Sequence, residues 1–208
     1  MRTFVINCSG SEDRWKHFTD DKYERWIGTH WNELDDNDFR FKKMVSYHNI
    51  NPLEHKAKVG CLLSHTNLWR YIVINKMNDI LILEDDAVAV DSVPDNLPLD
   101  GVTYLGGLSW NLKTLDGHKK LIPPKGIYPV ENFKILMTLS YYIPKWELAK
   151  DLLDYVESQK RWRAVDIMLT KSGSNFYMSY PGSFEERGDA SLIRSTKKKR
   201  SDKFYCWV

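Results

Sequence analysis

A chain of 208 residues can bury one full-sized core without disulfides. Its 42% hydrophobic and 28% charged residues exclude a disordered or fibrous protein, and a formal net charge of +2 gives no field that would commit it to nucleic acid. Cys8, Cys61 and Cys206 are too dispersed for a disulfide framework or a paired-thiol zinc motif, which points to reduced thiols in a cytoplasm.

The opening MRTFVINCSG enters a strand at Thr3–Asn7 without the apolar stretch and cleavage site of a signal peptide, and no run approaches a membrane span. Cys8 to Ser11 then turns the chain toward a helix capped by Ser11. Residues 20 to 43 are charged and aromatic with weak periodicity and read as helix fragments and loop, with a second strand at Met44–Tyr47. NPLE at 51 to 54 supplies a cap in Asn51, Pro52 at the first helical position and Glu54 for a capping box, so a long helix follows. Its buried stripe is Val59, Leu62, Leu63, Thr66, Trp69, Arg70 and Val73, while Gly60, Ser64, Asn67 and Tyr71 share a more polar face. A glycine inside a helix costs about 1 kcal/mol relative to alanine, so Gly60 marks a close approach of ligand or backbone, or a local break.

Ile80–Leu83 is a continuous apolar run, as in a strand buried on both faces. Further strands are expected at Val102–Leu105, closed by Gly106 and Gly107, at Ile135–Ile143 and at Phe176–Tyr180. Helices are expected from Pro144 to about Ser158 and over Ala164–Lys171. Strands alternating with helices, with no break for a second domain, predict one α/β domain over residues 1–194 with helices on both faces of its sheet, followed by a basic and aromatic tail at 195–208.

The stretch LILEDDAVAV sets Glu84, Asp85 and Asp86 at the C-terminal end of a buried strand, where α/β sheets collect ligands. Alternation along an extended chain sends Glu84 and Asp86 to one side and Asp85 to the other. Two oxygen ligands facing one way suit Mn²⁺ or Mg²⁺, which would take the rest of its shell from water and substrate phosphates. The bland reading is a strand-end turn with ordinary surface acids. A metal held this way neutralises charge building on a leaving diphosphate, and transfer to an alcohol then needs a base, which a positioned carboxylate supplies.

The ordered segments FVINCSGSEDRW, VGCLLSHTNLWR, LILEDDAVAV, TYLGG, LSYYIPKWELAKDLL, AVDIML and YPGSFEERGDASLI resemble glycosyltransferase family 25, which includes bacterial lipooligosaccharide and collagen galactosyltransferases. The resemblance implies a GT-A type fold, a UDP-sugar donor with galactose the commonest sugar, a divalent metal, inversion at the anomeric carbon, and a glycan, glycolipid or protein acceptor. It further implies that Glu84 and Asp86 are the ends of the metal-binding acidic motif, with Asp85 its middle. Asp166 matches a later aspartate that activates the acceptor or orients the donor sugar. Asn7, Arg14, Gly60 and Ser64 correspond to positions near the nucleotide, Gly106 to the glycine pair, and Asp189 and Ser191 to the closing motif. No histidine follows His118 to complete a metal shell.

Other residues have plainer readings beside the sharp ones. His65, beside the nucleotide in the resemblance, projects from the helix with Cys61, Leu68 and Ile72, as a satisfied, partly buried histidine also would. Cys61 and His65 have one-turn spacing, but two ligands without a second pair do not make a zinc site. Asp166 also fits a surface acid or cap, and Gly106–Gly107 a tight turn. Lys197 to Arg200, with Phe204, Tyr205 and Trp207 behind them, would suit contact with an anionic membrane surface, against the commoner alternative of a free tail. A metal-dependent phosphohydrolase would need more acids than are apparent, and a nucleic-acid-binding module more net charge.

Overall fold

A computed structural model describes residues 1–35, 37–44, 52–109, 124–130, 135–187 and 205–206. The strands are β1 (Arg2–Cys8), β2 (Tyr23–Gly28), β3 (Ile80–Glu84), β4 (Ala87–Ala89), β5 (Gly101–Ser109), β6 (Gly126–Pro129), β7 (Ile135–Ile143), β8 (Asn175–Tyr180), β9 (Phe184–Glu186) and β10 (Tyr205–Cys206). The α-helices are α1 (Glu12–Trp15), α2 (Phe39–Lys43), α3 (Pro52–Ile74), α4 (Trp146–Ser158) and α5 (Val165–Thr170).

The main sheet runs β2-β1-β3-β7-β5-β8-β6, and β10 pairs with the far end of β5. β1 is parallel to β2 and β3, and β5 to β8, whereas β7 runs antiparallel to both neighbours and β6 to β8. The expected mixed α/β architecture, a seven-strand sheet flanked by helices, is therefore present. Its helices are unevenly shared. The face bearing Phe4, Ile6, Ile80, Ile82 and Tyr141 packs against α3, α4 and α5. The opposite face, with Val5, Leu81, Leu83 and Leu139, is covered by Phe18 just beyond α1, by Val93 and Leu97, and by the small β4–β9 sheet.

Most expected elements form for the expected reasons: β3 is buried from Ile80 to Leu83, and α3 begins at Pro52, although its cap Asn51 and the proposed strand residues 45–47 lie outside the described residues. Four differences are instructive. β2 lies in the stretch read as helix and loop, because an edge strand tolerates the charges of YERWIG; Arg25 uses its position to bond Asn7. Arg70 is exposed, not buried, and pairs with Glu157 of α4 at 2.8 Å. The polar face of α3 is covered instead: Gly60 and Ser64 are buried because the loop after β2 packs there. Finally, β5 continues through Gly106 and Gly107 to Ser109 rather than stopping at them, with a bulge against β7 and Gly107 at φ 141°.

Candidate functional site

The alternation that would send Glu84 and Asp86 to one side ends with β3 itself, because Asp85 and Asp86 form the turn into β4. Glu84 still obeys it and points toward α3. Asp85 is held by the fold: its Oδ2 accepts from Asn7 Nδ2 at 2.8 Å and its Oδ1 from Arg14 Nη1 at 2.7 Å. Asn7 is fully buried and uses its remaining groups on Ser11 O and Arg25, so it acts from behind by fixing Asp85. With both oxygens of Asp85 engaged, Glu84 and Asp86 carry the acidic capacity facing outward.

Asp86 lies 4.0 Å from Arg14 Nη1, and its Oδ1 is buried with no hydrogen-bond partner. Burial first, then the charges of Glu84, Asp85 and Glu186, push its carboxyl up to about 7, against a smaller opposing pull from Arg14. Glu84 goes the other way. Burial would raise its pKa, but the nearby His65 ring, the bond from Thr138 and the charge of Arg14 outweigh it and hold the carboxyl below its ordinary value. One acid of the triplet is thus settled as an anion and another resists ionisation until near neutral pH.

His65 is 1% exposed and sits in a chain of polar contacts across the core. Trp69 Nε1 donates to the Tyr141 hydroxyl at 2.9 Å, that hydroxyl lies 2.7 Å from His65 Nδ1, and His65 Nε2 faces Glu84 Oε1 at 3.4 Å. Cys61, one turn before His65, joins them: ligand atoms of Cys61, His65 and Glu84 all lie within 4.8 Å of one another, a set able to hold a metal ion. Burial foremost, then the charge of Glu84, holds the Cys61 thiol well above its usual pKa.

Across the sheet, the β7 bulge serves two carboxylates. Thr138 Oγ1 donates to Glu84 Oε1, while the amide of Met137, whose φ is 77°, donates to Asp166 Oδ2 at 3.1 Å. Asp166, in the first turn of α5, also accepts from the Ile167 amide at 2.8 Å, and burial leads in raising its pKa despite these bonds.

The acidic turn, Arg14, Cys61 and His65 border one cleft of about 620 Å³, counting its space open to solvent, whereas Asp166, Thr138 and Tyr141 are not among its lining residues. Arg14, Ser64, His65, Glu84, Asp85 and Asp86 line it, opposite an apolar wall containing Ile6, Ala57 and Trp31. Gly60 stands behind the wall: a Cβ there would meet Thr29 O at 2.7 Å, so the close approach it signals is by backbone. Ser64 fixes the same loop, accepting from the Thr29 amide and donating to Gly60 O, each at 2.8 Å. Gly106 is pressed against the Phe184 carbonyl of β9. Asp189 and Ser191 lie outside the described residues. Sequence reasoning missed Thr138, Tyr141, Trp69 and the Thr29–Trp31 loop; only the glycine inside α3 hinted at the last.

A mixed sheet with its acidic strand tip opening into such a cleft is consistent with a nucleotide-sugar transferase fold. Residues 1–98, a little under half of the chain, match the family described as glycosyltransferase family 25 (LPS biosynthesis protein), so the resemblance read from the sequence is borne out over that stretch. The match supports a transferase; Gly106, Asp166, Asp189 and Ser191 lie beyond it. No curated protein matches the chain. Among the described residues, no helix is long and apolar enough to cross a membrane.

Proposed function

We propose that the protein is a GT-A type glycosyltransferase that moves a sugar, galactose first among the candidates, from a UDP-sugar to a hydroxyl of a glycan, glycolipid or protein acceptor, with inversion. The observation that carries this reading is the acidic turn at 84–86, with the buried oxygen of Asp86 left without a partner at the mouth of the cleft. That oxygen, crowded by Glu84, Asp85 and Glu186, fits a hard divalent cation, so Glu84 and Asp86 would hold Mn²⁺ or Mg²⁺. When bound, the ion would supply charge neutralisation at the leaving diphosphate.

The chain's own residues supply the rest. Arg14 adds a fixed positive charge beside the turn, and Trp31 with the apolar wall offers a flat surface for the base. Asp166 is the candidate base: the acceptor oxygen bonds to the anomeric carbon, its proton passes to the Asp166 carboxylate, and the bond from that carbon to the diphosphate oxygen breaks to release UDP. Its raised pKa makes it a stronger base than an ordinary carboxylate, and its two backbone bonds fix its orientation. Orienting the donor sugar is the other role open to it.

The free thiols Cys8 and Cys61 agree with a cytoplasmic setting. Residues 1–194 form the bulk of the transferase domain in this reading, and the basic run Lys197 to Arg200, ahead of β10, contacts anionic membrane; deleting 195–208 should then weaken binding to anionic vesicles. The central test is a screen of UDP-sugars for Mn²⁺-stimulated donor hydrolysis, with thermal shift by UDP and Mn²⁺ together. Hydrolysis of one UDP-sugar and joint stabilisation are expected. No response to any UDP-sugar, with or without metal, refutes the reading.

A further inference from the structure

We propose that Cys61, His65 and Glu84 form a separate site for a thiophilic divalent ion, Zn²⁺ foremost, adjoining the oxygen-ligand site at the acidic turn. In a tetrahedral zinc shell with sulfur, nitrogen and oxygen at their usual bond lengths, neighbouring ligand atoms stand roughly 3.3–3.8 Å apart. His65 Nε2 and Glu84 Oε1 are 3.4 Å apart, and the three ligand atoms all fall within 4.8 Å of one another. Small side-chain movements close that shell, leaving a fourth position toward the cleft, which all three residues line.

A second observation points to a ligand independently. His65 is 1% exposed, yet its Nε2 has no hydrogen-bond partner and is aimed at Glu84. Its other nitrogen is fixed 2.7 Å from the Tyr141 hydroxyl, which Trp69 holds in turn. A hydrogen-bonded far nitrogen is how metal-binding histidines are ordinarily oriented. The chemistry of the set differs from that of the acidic turn. Thiol, imidazole and one carboxylate select zinc, whereas Glu84 with Asp86 offers oxygen alone and selects manganese or magnesium.

Charge and protons balance. On binding, the Cys61 thiol releases its proton to solvent, and the imidazole proton resides on Nδ1, where it donates to Tyr141. Thiolate and carboxylate then neutralise the two charges of the ion, which suits a buried site. Because Glu84 belongs to both sets, zinc would withdraw it from the hard ion and slow transfer; this consequence rests on the function proposed above, but zinc binding does not.

The test titrates the full chain with Zn²⁺ by calorimetry and with Co²⁺ by absorption, without nucleotide. One ion per chain, a thiolate-to-cobalt charge-transfer band and tetrahedral d–d bands are expected. Cys61→Ser should abolish the charge-transfer band, Tyr141→Phe should weaken binding about 10-fold or more, and Asp86→Asn should leave the band in place. The wild-type cobalt spectrum is a check that needs no variant. A cobalt spectrum without the thiolate band, or loss of the band in Asp86→Asn, overturns the site. UDP-sugar hydrolysis without the band refutes only the zinc site; the band without hydrolysis refutes only the transferase reading.

Discussion

Replacing Asp86 by Asn should make the metal-free protein more stable at alkaline pH. The Asp86 side chain is only 13% exposed, and folding raises its carboxyl from 3.8 to about 7. A group raised on folding contributes stability that is complete below its unfolded pKa and is lost as the pH climbs through its folded value. Between pH 4 and 7 the wild type should therefore lose stability from this one group, at 1.36 kcal/mol per pKa unit, up to a ceiling of about 4 kcal/mol. The carboxamide introduced by Asp86→Asn has the same shape, no charge, and an N–H₂ group that can donate to the neighbouring carboxylates. Urea unfolding at pH 4.5 and pH 8 measures the difference: a variant more stable by about 1 kcal/mol at the lower pH, and by as much as about 4 kcal/mol at the higher. Saturating Mn²⁺ should close most of that gap at pH 8, because a ligand at 100 times its dissociation constant adds about 2.7 kcal/mol to the wild type and little to the variant. Parallel pH profiles for the two proteins would refute the argument that Asp86 is a strained anion.

Arg14→Ala removes the cation shared by Asp85 and Asp86, and breaking such a buried pair should destabilise the fold by about 3–5 kcal/mol and abolish the thermal response to UDP with Mn²⁺, read by urea unfolding and thermal shift. Gly60→Ala places a Cβ 2.7 Å from the Thr29 carbonyl, so it should cost about 1–3 kcal/mol in chemical denaturation despite alanine's better helix propensity. Tyr141→Phe leaves the Trp69 N–H and His65 Nδ1 without their shared hydroxyl and should cost about 1–3 kcal/mol in the same assay, where a loss below half of that would count against the network.

The elements legible in the sequence are those whose residues answer to one dominant demand. β3 is apolar because both its faces are buried, and α3 announces itself with Pro52 and Glu54. β2 was hidden because, at the sheet edge, its side chains answer to partners as much as to burial, and β4, β6 and β9 are too short for periodicity to register. The same division holds in the site. Three carboxylates adjacent in the chain are visible at once, whereas their settings are not: Thr138 reaches Glu84 across 54 positions and Tyr141 reaches His65 across 76. The stripe drawn on α3 erred at Arg70 because the helix is packed on two sides, by α4 and by the loop after β2, so a single-face pattern could not describe it.

The antiparallel β7 has a consequence for dissecting the molecule. It zips β3 to β5, so the stretch that carries the family match, residues 1–98, contains a strand whose apolar run Ile80–Leu83 has one edge paired with chain that lies beyond that stretch. Expressed alone, that portion would present Ile80–Leu83 as a sticky ribbon and would strip Thr138 from Glu84 and Tyr141 from His65. The two portions are thus a single cooperative object: neither can be borrowed as a cassette, and chimaeras joined near residue 98 must bring a matching β7 with them.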